Sequence, residues 1–511
     1  MRHKWWILPA VLALALSGAA YASAETGEES PAAAKPNIVF VLTDDLSMNL
    51  IGHMSAVRTM RRSGTSFSRY FVADGLCCPS RASLLTGRYP HNTGVTTNKN
   101  TDPGGGYRAF VNNGNQQRTY GVALDDAGYR TGFFGKYLNG YDIRNHAVPP
   151  GWDEWTVSAG GYSNIGGSYA ITNVHHKGDA KHITQPAKYL TDYIGGESVE
   201  FIDRARTQSQ PFFLQLSTFA PHSRVEPSDT EPKFPPAMRD RPGHEFPNGD
   251  CGVRNGVRTN CLDLKVRRGT GFDEATYRTL DRDLRNRVRM VQSLNDQMIR
   301  IRSHLAGTGQ LANTYFVFSS DNGFHLGEHG LLRGKGSPYD HDTRVPLIMT
   351  GPGVTAGAER TQIVQNVDLY ATFQQMAGLT PRASDGRGLL GLARGETPTN
   401  WREAALYEHQ GSEGPWNPQL DPDDADRDRA TAAAGFVPGR HTYIGLRTDT
   451  WLYVEYAGGR RWLFDLRTDP GQNNNVHSSH PVVADRLSTT VRTYHRCGKG
   501  TAPSCWSAGQ M

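Results

Sequence analysis

The fold of this chain is decided by Asn37-Ile38-Val39-Phe40-Val41-Leu42 and by the residues that follow it, Thr43-Asp44-Asp45. The run is largely apolar and rich in β-branched residues. It lacks the alternation of apolar and polar residues that is typical of a strand with one solvent-exposed face. It therefore predicts a strand buried on both faces, as in a parallel sheet. Runs of similar character recur at 212–216, 315–318 and 345–349.

Helical patterning lies between these runs. The clearest segment, 273–305, carries apolar residues at three- and four-residue spacing, as an amphipathic helix does. Strands that alternate with helices predict an α/β fold, with a mostly parallel central sheet sandwiched by helices. Polar residues just after the strand ends build the ligand site of such a sheet. Asp44-Asp45 and Asp321-Asn322 both stand at that place.

The last quarter of the chain has a different pattern. Residues 442–447, 450–455 and 461–466 form short alternating stretches, which predict a small antiparallel sheet. A helix near 481–495 is expected to pack against it. We therefore expect a smaller C-terminal subdomain over 381–511.

The N-terminus predicts export. Residues 1–24 combine a basic start, a short apolar stretch and small residues that fit an A-x-A cleavage pattern, which together indicate a secretory signal peptide. Residues 25–35 are expected to be a flexible, Ala/Pro-rich lead-in. The catalytic domain is expected over 36–380, with a loop insertion at 223–271 that is dense in Pro, Gly, Asp and Arg. No later stretch is apolar enough for a transmembrane helix, so we expect a secreted protein without a membrane span.

The charge balance does not suggest a nucleic-acid partner. The 55 basic and 50 acidic residues give a net charge of +5, a weak bias for a chain of 511 residues. Such a bias mildly favours anionic substrates.

The six cysteines fall into three groups. Cys251 with Cys261 and Cys497 with Cys505 are close pairs in loops. We predict a local disulfide bridge in each, because an exported protein can keep disulfides. The neighbours Cys77-Cys78 are different, since disulfide geometry is poorly met across one peptide bond. This pair needs another explanation.

The pair opens the segment Cys77-Cys78-Pro79-Ser80-Arg81, which is followed by Ala82-Ser83-Leu84-Leu85-Thr86-Gly87-Arg88. Together they resemble the sulfatase signature C-x-P-S-R…L-x-T-G-[KR]. The resemblance extends over about 36–466 and implies an alkaline-phosphatase-like fold. It also implies that Cys77 is converted to formylglycine (3-oxoalanine) by formylglycine-generating machinery. The doubled cysteine, Gly-Lys-Tyr-Leu-Asn at 135–139 and Tyr-Pro-His-Asn at 89–92 resemble the N-acetylglucosamine-6-sulfatase branch.

Two pairs of side chains offer oxygen ligands only. Asp44, Asp45, Asp321 and Asn322 suit a hard cation such as Ca²⁺ or Mg²⁺. Taken alone, an Asp-Asp pair after a strand is more often a helix cap or a turn. Sulfatases bind Ca²⁺ with such pairs at matching places, so the resemblance implies one Ca²⁺ ion, with the modified Cys77 as a further ligand.

The resemblance also implies a set of cationic active-site side chains. Arg81 would hold the formylglycine hydroxyl, and Lys136 and Lys335 match two lysines that contact sulfate. His222 matches a histidine near the ester oxygen, where an imidazolium can protonate the departing alkoxide. His325 resembles a histidine of glycan sulfatases that faces the leaving sugar, and a structural role as a loop histidine is equally open.

One position departs from the family pattern. Many sulfatases have a histidine two residues after the first lysine, hydrogen-bonded to formylglycine, whereas this chain has Leu138. The departure leaves open which group deprotonates the hemiacetal hydroxyl.

The sequence thus predicts a secreted sulfatase that acts on sulfated sugars or glycans, with aryl sulfates as artificial substrates. Two alternatives stay open. A phosphodiesterase or phosphonate monoester hydrolase of the same superfold can also use formylglycine. A non-catalytic binding protein could keep the fold, but it should have lost the nucleophile, a metal ligand or a lysine, and all are present here.

Overall fold

Strand β1 (Asn37–Thr43) is buried along its whole length inside the large sheet. It runs parallel to β11 (Thr314–Ser320) on one side and to β8 (Phe212–Ser217) on the other. Its burial on both faces is what the apolar run predicts. The computed structural model describes residues 1, 35–142, 145–158, 168–174, 180–186, 189–223, 253–254, 257–258, 273–411, 442–499 and 504–510.

The strands next to β1 continue the parallel arrangement. Across the described part of the sheet the order is β13 (Ala358–Arg360), β2 (Thr65–Phe67), β12 (Leu347–Thr350), β11, β1, β8, β4 (Arg130–Gly135), β5 (Glu154–Ser158), β6 (Ser168–Val174) and β7 (Ala180–Pro186). From β11 to β5 all neighbours are parallel. Antiparallel pairing begins at β12 on one side and at β6 on the other. The prediction of a mostly parallel central sheet is confirmed.

Helices cover both faces of this sheet. Ile38 and Phe40 of β1 pack into one apolar cluster, and Val39 and Val41 pack into another. The first cluster includes side chains from α2 (Cys77–Thr86), α4 (Gly106–Asn112), α5 (Tyr120–Asp125), α9 (Asp368–Met376) and α10 (Leu390–Arg394). The second includes side chains from α1 (Ser55–Ser63), α6 (Leu190–Thr207) and α7 (Glu274–Gly307). The α/β sandwich follows from this two-sided burial.

A separate antiparallel sheet lies in the C-terminal region. Its strands are β15 (Ala404–His409), β16 (Tyr443–Thr448), β17 (Trp451–Tyr456) and β18 (Arg461–Asp465). Helix α11 (Pro481–Tyr494) shares an apolar cluster with this sheet, as predicted. The predicted disulfide between Cys497 and Cys505 is present, and Cys505 begins the short helix α12 (Cys505–Ala508).

The remaining elements are short. They are the helices α3 (Pro90–Thr93) and α8 (Asp340–Thr343), the parallel pair β3 (Tyr70–Phe71) and β14 (Val364–Gln365), and the antiparallel pair β9 (Val253–Arg254) and β10 (Val257–Arg258).

Three strands differ from the simple sequence pattern. β12 is buried on both faces although it is antiparallel to β11, because coverage by helices on both faces, not strand direction, decides its burial. β15 lacks alternation because all six of its residues are buried. β4 contains glycines that interrupt the apolar run. A Cβ on Gly135 would lie 1.8 Å from the Ser217 carbonyl oxygen, so β4 can approach β8 only with glycine there.

Several predictions fall on residues that are not described. The signal peptide (1–24), nearly all of the lead-in (25–35), most of the insertion (223–271) and the predicted Cys251–Cys261 bridge lie outside the described residues. Lys35–Met511 forms one compact unit, and the domain boundary at 380 stays a prediction. Among the described helices, none is long and apolar enough to cross a bilayer.

Candidate active site

Cys77 is the first residue of α2 and is fully buried. The loop before it closely approaches a second loop, since a Cβ on Gly75 would stand 3.3 Å from Gly336 Cα. Helix α2 ends at Gly87, whose φ is 68° and whose added Cβ would lie 2.7 Å from Tyr370 Cβ. Only glycine meets both conditions at this helix end, which explains its place in the motif.

Four oxygen-bearing side chains meet at the carboxyl ends of β1 and β11. These strands are parallel neighbours, so the residues after them lie side by side. The backbone N–H of Asp45 donates to Asp321 Oδ1 at 3.2 Å, and Asn322 Nδ2 donates to Asp45 Oδ1 at 2.5 Å. Carboxylate oxygens of Asp44, Asp45 and Asp321 lie within 4.8 Å of one another, and all are buried.

This oxygen cluster has the chemistry of a hard-cation site. The amide NH₂ of Asn322 donates to Asp45 and to the Gly323 carbonyl, while Asn322 Oδ1 is buried and accepts no hydrogen bond from the described residues. Burial and the neighbouring Asp44 charge raise the pKa of Asp321. Three buried carboxylates and an amide oxygen therefore fit a bound Ca²⁺ or Mg²⁺, which would offset their mutual repulsion.

Two lysines connect this cluster to Cys77. Lys136 follows β4 and its Nζ donates to Asp44 Oδ2 at 2.5 Å. Lys335 Nζ lies 2.8 Å from Asp45 Oδ1 and 2.8 Å from Cys77 Sγ. Cys77 Sγ is also 3.4 Å from Asp44 Oδ1. The predicted nucleophile, metal ligands and sulfate-binding lysines thus converge at one place.

Arg81 is held rigidly on the inner side of this group. Its Nε donates to Asp321 Oδ2 at 2.7 Å, and its Nη1 donates to the Lys136 carbonyl at 2.8 Å and to Ser217 Oγ at 2.9 Å. Arg81 lies one helical turn after Cys77, so α2 presents both residues to the carboxylates.

Electrostatics fix the charge states around Cys77. Burial would raise the pKa of Asp44, but Lys136, His222 and other cations hold it well below its usual value. Burial would lower the pKa of Lys136, but Asp44 raises it above its usual value. Burial and Asp44 raise the pKa of the Cys77 thiol well above its usual value. An unmodified Cys77 is therefore a neutral thiol, which is a poor nucleophile.

His222 also reaches this group of residues. Its Nε2 lies 3.9 Å from Asp45 Oδ2, and it can share a metal-sized space with Asp44 and Cys77. Its Nδ1 bonds the Ser223 carbonyl, which can only accept. Nδ1 therefore carries a proton, and Nε2 is the nitrogen that faces the reacting groups.

Comparison with known proteins agrees with this geometry. Residues 36–379 match the family model described as "Sulfatase". The chain belongs to the sulfatase family. It is 34% identical over 390 residues to the extracellular sulfatase SULF-1 homolog of Drosophila melanogaster, covering 74% of this chain and 33% of that protein. It is 29% identical over 533 residues to the N-acetylglucosamine-6-sulfatase of Homo sapiens, covering 99% of this chain and 92% of that protein.

The chain spans between a third and a half of the length of the extracellular sulfatase relatives from Drosophila melanogaster and Caenorhabditis elegans. Solved structures share the fold. A protein in complex with its substrate D-glucosamine-2-N,6-O-disulfate has a TM-score of 0.65 at 22% identity, covering 90% of this chain and 97% of that one. The phosphonate monoester hydrolase of Silicibacter pomeroyi has a TM-score of 0.61 at 22% identity, covering 90% and 95%.

His325 lies beside the loop that carries Lys335. It forms an antiparallel bridge with Gly334, the residue before Lys335. Its Nδ1 lies 2.9 Å from Asp342 Oδ2, and the same oxygen accepts the Ser337 N–H at 2.9 Å. The His325–Asp342 pair thus supports both sides of the loop that carries Lys335.

Leu138 is buried in the apolar cluster on the α2 side of the sheet, with Tyr107, Tyr137 and Tyr141 among its members. A leucine side chain has no hydrogen-bond donor or acceptor, so it cannot bind a hydroxyl. The departure from the usual sulfatase histidine is thus accommodated by packing.

Sequence reasoning missed Arg287, which donates from α7 to the Asp45 carbonyl oxygen. Asp45 has a φ of 63°, a left-handed conformation that is unfavourable for aspartate and must be held by its surroundings. A signal was present, because Arg287 follows Leu284 by three residues and precedes Val291 by four, on the apolar face of the helix. A charged residue in that face needs a buried partner.

Two neighbouring residues of β15 were also missed. Glu408 Oε2 accepts the backbone N–H of His91 at 3.0 Å, just after α2 ends. His409 Nδ1 lies 2.8 Å from Asp74 Oδ1, just before α2 begins. The C-terminal sheet therefore holds the chain on both sides of the signature helix.

Proposed function

We propose that this protein is an exported sulfatase that removes sulfate from sulfated sugars, using a formylglycine formed from Cys77 and one bound Ca²⁺. One observation carries the proposal. Cys77 Sγ stands 2.8 Å from Lys335 Nζ and 3.4 Å from Asp44 Oδ1, at the start of the signature helix. A nucleophile position, a cation and a metal-binding cluster therefore coincide.

Asp44, Asp45, Asp321 and Asn322 would hold Ca²⁺, as their oxygen-only chemistry and close spacing support. A bound Ca²⁺ would polarise the sulfate oxygens as a Lewis acid. Arg287 keeps the Asp45 backbone in its left-handed conformation, and Arg81 fixes the Asp321 carboxylate through a 2.7 Å hydrogen bond. Both arginines thus position the ligands.

Formylglycine, as an aldehyde hydrate, would supply two hydroxyls on one carbon, one to attack sulfur and one whose deprotonation releases sulfate as the aldehyde re-forms. The position of Cys77 Sγ marks where these hydroxyls would stand. Arg81 lies one turn along α2 and is locked by its bonds to Asp321 and Ser217, so it can hold one hydroxyl in place.

Lys136 and Lys335 would bind the sulfate oxygens. Both ammonium groups border the Cys77 position, and each is anchored by an aspartate, at 2.5 Å for Lys136 and 2.8 Å for Lys335. The raised pKa of Lys136 keeps it positively charged. Fixed cations in a buried site stabilise the negative charge that develops as the ester bond breaks.

His222 would donate the proton to the departing sugar oxygen. Its Nδ1 is committed to the Ser223 carbonyl, so the proton that it can transfer is on Nε2. That nitrogen faces Asp45, whose negative charge favours the imidazolium. His325, held by Asp342 beside the Lys335 loop, would contact the leaving sugar.

Sulfated sugars are the proposed substrates because one relative and one structural neighbour are named for them. An N-acetylglucosamine-6-sulfatase aligns over nearly the whole chain, and one structural neighbour was solved with D-glucosamine-2-N,6-O-disulfate. Aryl sulfates would serve as artificial substrates. Export is supported by the predicted signal peptide and by the extracellular sulfatase relatives. Formylglycine-generating machinery would act on the chain during maturation.

Phosphonate monoester hydrolysis is the second candidate, because a phosphonate monoester hydrolase shares the fold. Turnover of 4-nitrophenyl sulfate and 4-nitrophenyl phenylphosphonate should be measured side by side on one preparation. A higher kcat/KM for the phosphonate would favour the second candidate. Turnover of neither ester by formylglycine-bearing protein would favour a binding protein.

Mass spectrometry tests the nucleophile directly. Trypsin releases residues 70–81, which contain both Cys77 and Cys78. Conversion of a thiol to an aldehyde lowers the mass by about 18 Da, and fragmentation assigns the loss to one of the two positions. We expect the loss at Cys77, together with sulfate release from N-acetylglucosamine-6-sulfate. An unchanged peptide in protein that turns over sulfate esters would overturn the formylglycine proposal.

A further inference from the structure

A second cluster of metal-ligand type lies outside the residues around Cys77. It consists of His91 in α3, Glu408 in β15 and His495 just after α11, and we name it the His–Glu–His cluster. One nitrogen from each histidine and one carboxylate oxygen lie within 4.8 Å of one another. Each residue comes from a different segment of the fold.

Both histidines point at the same oxygen atom. His91 Nδ1 and His495 Nδ1 are each 2.5 Å from Glu408 Oε1. The other carboxylate oxygen, Oε2, accepts the backbone N–H of His91 at 3.0 Å. Oε1 therefore contacts the two histidine rings, while Oε2 is occupied by the backbone N–H.

The proton positions at this cluster are constrained. The Cys497 carbonyl oxygen can only accept, and it lies 3.0 Å from His91 Nε2 and 3.2 Å from Asn92 Nδ2. His91 Nε2 therefore carries a proton. In the neutral imidazole, the lone pair of Nδ1 then faces the lone pairs of Glu408 Oε1. Such a contact is repulsive unless either a second proton on the His91 ring or a metal ion lies between the two atoms.

We propose that the His–Glu–His cluster binds a divalent transition-metal ion, with Zn²⁺ as the fitting choice. Two imidazole nitrogens and one carboxylate oxygen are ligands that Zn²⁺ takes in proteins. The N–H of His91 that bonds to the Cys497 carbonyl is the support that a metal-ligating histidine commonly has on its other nitrogen. Asp385, which bonds Asn92 and the Tyr89 N–H, adds negative charge nearby.

The cluster has both a rigid and an adjustable side. The side chains of His91 and Glu408 are only 4% and 5% exposed, and the His91 ring stacks on Tyr89. The side chain of His495 is 41% exposed. Zn²⁺ at about 2.0–2.1 Å from each ligand needs wider ligand spacing than 2.5 Å. Rotation of the exposed His495 ring provides it for His495, and the open side admits the ion and a water ligand. His91 Nδ1 and Glu408 Oε1, also 2.5 Å apart, must separate by a smaller movement when the ion binds.

Bound metal would connect three segments. His91 follows the signature helix, Glu408 belongs to the C-terminal sheet, and His495 follows α11. The ion would therefore stabilise the packing of the C-terminal sheet on the chain that leaves α2. This inference does not depend on the proposed sulfatase reaction.

Zn²⁺ itself is the probe. Protein saturated with Ca²⁺ is titrated with Zn²⁺ at pH 7.5, and metal content and melting temperature are measured. We expect one Zn²⁺ per chain in addition to Ca²⁺, and a higher melting temperature, since an ion that binds only the native state stabilises it. Anomalous scattering at the zinc edge should place the ion between the two Nδ1 atoms and Glu408 Oε1.

His495→Ala should lower Zn²⁺ affinity by more than the about 10- to 100-fold that loss of an outer supporting group costs. Glu408→Gln should do the same, and His477→Ala, a histidine of the same region outside the cluster, should bind Zn²⁺ as the wild type does. Repeating the titration in Cys77→Ala excludes capture by an unmodified thiol. Absence of Zn²⁺ uptake, equal affinity in His495→Ala, or an anomalous peak elsewhere would overturn the proposal. Stabilisation in acid without any response to Zn²⁺ would show protonated histidines paired with Glu408 in place of a metal.

Discussion

Lys335 Nζ lies 2.8 Å from Cys77 Sγ, across 258 positions of sequence. The same ammonium group bonds Asp45 Oδ1 at 2.8 Å, so one side chain links the proposed nucleophile position to the carboxylates that we propose as metal ligands. The loop that carries Lys335 is held by Asp342 through the Ser337 N–H and by Tyr443, whose hydroxyl donates to the Gly336 carbonyl. The distance between nucleophile and cation is thereby fixed before any substrate binds, which favours preorganised catalysis.

Cys77→Ala and Cys77→Ser should both abolish sulfate release, because formylglycine forms only at the first position of the signature. Cys78→Ala is the matched control and should keep most of the turnover, since Cys78 packs in the apolar core and its backbone N–H bonds Asn98. Sulfate release from 4-nitrophenyl sulfate measures both. Full activity in Cys77→Ala would refute the mechanism.

Removing Ca²⁺ with a chelator should abolish activity and lower the melting temperature. A ligand at 100 times its dissociation constant stabilises the native state by about 2.7 kcal/mol, and the buried carboxylates repel one another once the cation leaves. Scanning calorimetry with and without Ca²⁺ measures the difference. Asp321→Ala should lose the response, and a variant that kept full calcium content would contradict the assigned ligands.

His222→Ala should slow release from a sugar sulfate far more than from 4-nitrophenyl sulfate. A sugar alkoxide needs a proton as it leaves, whereas a nitrophenolate is stable as an anion. General acid catalysis contributes about 10²- to 10⁴-fold, so the loss on the sugar substrate should fall in that range. Both kcat/KM values are compared, with His325→Ala measured in parallel. Equal losses on the two substrates would mean that His222 only positions the sulfate.

Acid should weaken the native state through Glu408. Burial would raise the pKa of Glu408, but its bonds to His495 and His91 lower the pKa from 4.5 to about 2. A depressed carboxyl pKa stabilises the fold above the unfolded value, and this contribution is lost as the pH falls from 4.5 through 2. The shift corresponds to about 3 kcal/mol.

Urea unfolding in zinc-free buffer at several pH values tests this prediction. The difference in unfolding free energy between wild type and Glu408→Gln should shrink as the pH falls below 4.5. A difference that stays constant with pH would show that Glu408 contributes by packing alone.

The central strands and the residues after them could be predicted, because a strand that is buried on both faces appears in the sequence as a continuous apolar run. Asn37–Thr43 and Thr314–Ser320 are largely apolar runs that are followed by acidic or amide side chains, and parallel pairing brings those ends together. Lys136, Lys335 and His222 could be predicted only from the resemblance to the sulfatase family. Nothing in periodicity or composition points to Lys136, which follows a strand interrupted by glycines.

The supporting contacts were not predictable in the same way. Arg287 reaches Asp45 from a helix more than 200 positions away, and Glu408 reaches His91 across 317 positions. Such pairs depend on how α7 and β15 pack against the sheet, and a single sequence carries no record of that packing. Arg287 could be recognised in the sequence as a charged residue on an apolar helix face, whereas no sequence pattern points to Glu408.

The hold of β15 on both sides of α2 sets an order of events in biosynthesis. Cys77 is inaccessible in the folded chain, and Glu408 and His409, which secure the segments around it, are synthesised more than 300 residues later. An enzyme that oxidised Cys77 would therefore have to act before the fold around it is complete. If Cys77 is oxidised as proposed, the fraction of active protein obtained from an expression host would depend on the relative rates of oxidation and folding, and slowing translation upstream of residue 404 should raise it.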